Sequence, residues 1–65
     1  IGAQLTNEIA EEYGHELADQ ISVLSNGVAR GVISSSQAIA TASKSPQLMQ
    51  TLMTLAAQGR IQIAL

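Results

Sequence analysis

The residues best suited to chemistry stand near the start of the chain. His15, the sole histidine, has Glu11 and Asp19 four positions to either side and Glu12 three positions before it. On a helix these spacings place an imidazole among carboxylates on one face. Glu12-Tyr13-Gly14-His15 also has the Glu-x-x-His spacing with which helical bundles hold a pair of iron ions. Such a centre takes two copies of the motif and further carboxylates, so only a symmetric oligomer would complete it. A solvated acidic helix face accounts for the same residues. Nucleophilic catalysis needs a Ser or Cys held against a base by a third group. The chain has no Cys, and its serines are separated in sequence from His15. No glycine loop is arranged to cradle phosphate. Catalysis is not expected, and no catalytic, cofactor-binding or metal-binding residue is assigned.

The helix that must carry these side chains is written in the apolar residues between them. Ile1, Leu5, Ile9, Tyr13, Leu17 and Ile21 recur at every fourth position, and Leu24, Val28 and Val32 follow. That is helical spacing, with acids on the intervening positions. The step exceeds the helical period of about 3.6, so the stripe drifts around the axis and suits oblique crossings rather than a long coiled coil. Gly14 costs about 1 kcal/mol relative to Ala in this helix without ending it. Glu8, Glu12 and Glu16 repel one another by a few tenths of a kcal/mol per pair. His15, or a base from a neighbouring chain, would relieve them.

Asn26-Gly27 is read as a stop signal, with a bend or break expected in residues 26–34. The competing reading runs the helix through, with Gly27 and Gly31 as packing positions. Ser34-Ser35-Ser36-Gln37 fits a capping box, and Ser45-Pro46 marks a third helix by cap and first-turn proline. Leu48, Met49, Leu52, Met53, Leu55 and Ala56 give that helix a broad apolar face, and Gly59 stops it. Residues 60–65 alternate apolar and polar residues and suit a short strand, a helical turn or an extended arm. The expected fold is all-α: a small helical hairpin or three-helix unit, with helices at about 3–26, 28–43 and 46–58 and a short extended arm at 60–65.

Composition says what surrounds such a unit. At 65 residues the chain is near the lower limit for a self-sufficient core, and it has a single aromatic residue, Tyr13, and no disulfide. Charged residues make up 12%, about half the usual quarter, while hydrophobic residues reach 46% at a net charge of −2. A chain that folds with so few charges is expected to have much of its surface covered. The charges are segregated: Glu8, Glu11, Glu12, Glu16 and Asp19 precede residue 20, and Arg30, Lys44 and Arg60 follow it. This suits stacking of the acidic end of one subunit, Glu8, Glu12 and Glu16, on the basic end of the next, Arg30, Lys44 and Arg60. The start at Ile1 rather than Met suits a processed chain, a fragment or the ordered part of something longer. No signal-peptide pattern is visible, and no run reaches the roughly 20 apolar residues of a membrane span.

Small residues recur through the middle of the chain at Gly27, Gly31, Ser35, Ala38 and Ala42. Four-residue spacing of such residues lets helix backbones approach closely. With Leu48, Leu52 and Leu55 they form the expected assembly interface. Leu17, Ile21 and Leu24 are expected to meet the three leucines.

Residues 34–65 are similar in outline to a helix-turn-helix, and 55–65 to the helix-to-wing passage of winged-helix proteins. Ser43 stands where Gly often makes the turn, and 46–58 contains no Arg or Lys, so the phosphate neutralisation on which DNA affinity rests is small. Head-to-tail cyclic bacteriocins resemble the chain in size and in apolar ends, Ile1 and Leu65, but are usually cationic, as membrane attraction requires. The function expected is therefore a non-enzymatic structural subunit of a filament, virion or secretion apparatus. Its partners are copies of itself or other assembly proteins, with nucleic acid not favoured. A helix-turn-helix or winged-helix-like DNA-binding module and a membrane-active peptide stand as the alternatives.

Overall fold

In the computed structural model, which describes residues 2–64, four helices follow one another: α1 Ala3–Tyr13, α2 His15–Ala29, α3 Ser35–Ala42 and α4 Pro46–Ala57. No strand occurs among the described residues. Ile1 of the apolar stripe and Leu65 of the tail lie outside them.

The helix expected over 3–26 is two helices, and Gly14 is the reason. Its φ of 101° and ψ of 154° lie in a region open in practice only to glycine. Gly14 closes α1 by donating its N–H to the Ala10 carbonyl at 2.9 Å. It opens α2 by accepting from the Ala18 N–H at 3.1 Å. One residue therefore redirects the chain while both helices keep their terminal hydrogen bonds. The break also resets the apolar stripe. Ile9 is the buried residue of α1, and α2 buries Ala18, Ile21, Leu24 and Ser25.

Nor does α2 stop at Asn26-Gly27; it runs to Ala29, and Gly31 ends it. Gly31 has φ 74° and donates to the Val28 carbonyl at 3.1 Å, while Val32 N–H donates to the Gly27 carbonyl at 2.9 Å. This pair of bonds is the Schellman arrangement, which favours glycine at the left-handed position. Residues 28 and 29 thus belong to α2, and α3 begins at Ser35 rather than at 28. Its start is the capping box: Gln37 N–H donates to Ser34 Oγ at 3.1 Å, and Ser34 N–H donates to Gln37 Oε1 at 2.9 Å. At α4, Ser45 Oγ accepts from Leu48 N–H with Pro46 in the first turn. A second Schellman pair, Gly59 to Ala56 and Arg60 to Leu55, ends that helix.

α2 packs against each of the other three helices, and α3 packs against α4. Ile9, Ala18, Ile21, Leu24, Ala38, Ala42, Leu48, Leu52 and Leu55 form one core, with Leu17 and Tyr13 partly buried against it. After α4 the described tail, residues 60–64, has neither helix nor strand. Its alternation turns Ile61 and Ile63 inward and leaves Gln62 and Ala64 exposed, and Ala64 N–H donates to Ser35 Oγ at 3.2 Å. The Cα radius of gyration, 10.4 Å, is close to the roughly 11 Å of a folded chain this long. Most of the large apolar residues are thus collected by the chain's own folding.

Candidate functional site

Most of the residues expected at an assembly interface lie inside the molecule. Ala38, Ala42, Leu52 and Leu55 are fully buried, and Leu48 nearly so. Ala38, Ala42, Leu52 and Leu55 lie between the helices and have no exposed surface for a second chain. Ser35 is half-buried beneath the tail through its bond to Ala64. The two glycines differ from each other. A Cβ on Gly27 would come within 3.0 Å of Ile33 Cγ1, so the close approach there is made by the chain's own Ile33. A Cβ on Gly31 would meet nothing within 4 Å. Gly31 is small because of its backbone conformation and not because a neighbour is near.

The acidic and basic ends meet within one chain. Arg60 reaches Glu8 at 3.4 Å and Glu12 at 3.9 Å, so a base of the same molecule relieves the repulsion between those two carboxylates. All three side chains keep substantial solvent exposure, which limits such pairs to about 0–1 kcal/mol. Glu16, Arg30 and Lys44 are exposed and take part in no ion pair among the described residues. His15 is the first residue of α2 and Glu12 belongs to α1, so Gly14 interrupts the helical face that the Glu-x-x-His spacing implies. Among the described residues no three acidic or histidine side chains gather as a metal-binding set.

What the fold creates instead is a groove. Asp19, Gln20, Val23 and Leu24 line one wall from α2, and Thr41, Lys44, Ser45 and Leu48 line the other from the corner between α3 and α4. It encloses about 450 Å³. The walls converge because Leu24 and Leu48 are anchored in the core at 7% and 6% exposure. They form the apolar floor. Val23 stands at the rim, 71% exposed. It sits one residue before Leu24 and two after Ile21, off the buried face of α2. An apolar residue displaced from its helix's stripe was the signal in the sequence for this rim. Asp19 and Lys44 occupy opposite walls. A neighbouring, more polar cleft of about 480 Å³ beside Gly14 shares Gln20 and Ser45 with the groove and takes in His15 and Glu16.

The helix-turn-helix outline meets two departures here. α3 ends at Ser43 in the right-handed helical conformation, with φ −64° and ψ −13°, so no left-handed residue makes the turn. The tail forms no strand in residues 60–64, so the wing is missing there. Among the described residues no helix is long and apolar enough to cross a membrane. No protein-family model, no curated protein and no solved structure matches the chain.

Proposed function

We propose that this chain is a non-enzymatic structural subunit that joins a larger assembly through its outward apolar surface. The settings it suits are a filament, a virion or a secretion apparatus. The groove carries this reading: an apolar floor of Leu24 and Leu48 lies open beside a rim valine that folding leaves uncovered. Val32 at 74% and Met53 at 45% exposure are further apolar side chains left uncovered, in a chain with only 12% charged residues. Ala38, Ala42, Leu52 and Leu55, first expected to meet other chains, are buried in the interior, so contacts fall to the groove and its surroundings.

Magnitudes limit how such a contact works. Burying one valine contributes about 1.5 kcal/mol, while association costs about 4 kcal/mol or more in lost freedom. A single valine does not hold two chains together. The contact has to be repeated, by symmetry or along an array, and to include the groove floor.

Sedimentation velocity of the chain across concentration, beside Val23→Glu, tests the proposal. Concentration-dependent association that Val23→Glu removes while helical circular dichroism is unchanged is the expected result. A helical monomer at every concentration, or association indifferent to Val23→Glu, overturns it.

A further inference from the structure

We infer that the groove is built to take a second copy of this chain, related by a two-fold axis. Val23 of each copy enters the groove of the other, and Asp19 of each meets Lys44 of the other. The inference rests on the subunit reading above and names its first partner.

A two-fold interface uses one patch on both molecules, so that patch must be complementary to itself. The groove meets this condition in shape, because projection and recess belong to the same patch. Val23 projects at 71% exposure, and the recess of about 450 Å³ beside it has Leu24 and Leu48 as its floor. The patch meets the condition in charge as well. It carries one acid, Asp19 on α2, and one base, Lys44 on the facing wall. Both are exposed, and neither joins an ion pair within the chain among the described residues, where Arg60 with Glu8 and Glu12 makes the pairs. A two-fold axis crossing the line between Asp19 and Lys44 at its middle sets acid against base twice. Opposed charges across a contact fix its register and disfavour wrong partners. The chain as a whole carries a net charge of −2, which opposes association of identical copies, whereas the charges lining the groove balance. It is therefore a place where two acidic copies meet without local repulsion. Gln20, Thr41 and Ser45 complete the lining with uncharged polar groups suited to a solvated rim.

The test is sedimentation equilibrium on the 65-residue chain and on Asp19→Lys, Lys44→Asp, their double variant and Val23→Glu. All three positions are exposed, so thermal melts of dilute samples should stay close to the parent. The parent should form a dimer and no larger species through this contact, and Val23→Glu should abolish it. Asp19→Lys and Lys44→Asp should each weaken it by about five-fold or more, since two attractive pairs become two repulsive ones. The double variant should recover to within about two-fold of the parent. The decisive arm mixes the two single variants: one copy then presents two lysines and the other two aspartates, and a heterodimer should form where each alone is weak. Association that Val23→Glu removes, with the charge variants neutral, the mixture unrescued or the species larger than a dimer, overturns the two-fold inference and leaves the subunit reading standing. No association, or association untouched by Val23→Glu, overturns both.

Discussion

Helix α3 and the middle of α2 assign their side chains in opposite ways. α3 turns Ala38 and Ala42 inward, both fully buried, and leaves Gln37, Ala40 and Thr41 facing solvent. α2 buries Ile21 and Leu24 but sets Val23 outside at 71% exposure. Small residues do the interior packing of one helix, while the other leaves a large apolar residue with nothing over it. The contrast separates two meanings of a smooth, charge-poor stretch. Where Ala faces Leu across a helix pair, smallness lets backbones approach and the contact is complete within the chain. Where Val faces water beside an open groove, no contact within the chain covers it.

The harshest way to break this contrast is to hollow the buried side. Leu52→Ala removes a fully buried side chain and should cost about 2–5 kcal/mol. Stability for 65 residues is on the order of 3–10 kcal/mol, so urea titration followed by circular dichroism should show a large fall in midpoint or outright unfolding. A loss below 1 kcal/mol would mean that α4 is not packed as described. Overfilling is the next test. Ala38→Leu forces extra volume between helices and should destabilise by about 1–3 kcal/mol in the same titration. An unchanged midpoint would show that α3 lies further out.

A third substitution sharpens the distinction among the small residues themselves. Gly31→Leu should cost about 1–2 kcal/mol through its positive φ, and Gly31→Asn should recover part of it because Asn tolerates that conformation. Equal losses for Leu and Asn would point to crowding, contrary to the open space around Gly31. Smallest of all, Val23→Ser should alter the unfolding free energy of dilute samples by no more than about 0.5 kcal/mol. At high concentration the parent alone should gain stability, because association favours the folded state by mass action. A large loss in dilute samples would mean that Val23 belongs to the core.

Some of this architecture was legible from neighbours in the chain. The Ser34–Gln37 capping box, Ser45 with Pro46, and Gly59 after α4 each act within three or four residues, so their chemistry is complete in a short window of sequence. The all-helical class and the meeting of Leu48, Leu52 and Leu55 with Ile21 and Leu24 followed from periodicity. The boundaries of α2 did not. Gly14, Gly27 and Gly31 are all free to take positive φ, and Gly14 and Gly31 do so while Gly27 stays helical. That choice is made by partners. Ile33 folds back over Gly27, the Val28 and Gly27 carbonyls take the bonds that close the helix, and α1 must turn at Gly14 to lie on α2.

The candidate site was legible only in fragments. Val23 stands off the apolar stripe of its helix, but nothing in the sequence joins it or Asp19 to Lys44, 21 positions beyond Val23, and only the packing of the α3–α4 corner on α2 makes them one groove. The stripe of Gly27, Gly31, Ser35, Ala38 and Ala42 was visible, but its purpose was not, since a small residue satisfies close approach inside or between chains equally well. By itself the sequence determined the all-helical class, where α3 and α4 begin by capping and where α4 ends, and that charge is sparse. These follow from bonds and periodicities a few residues long. Tertiary structure decided which small residues are buried, which glycines bend the chain, which acids Arg60 meets and where apolar surface remains open. Those outcomes depend on which faces win the competition for the core, and burial is shared among residues far apart in the chain.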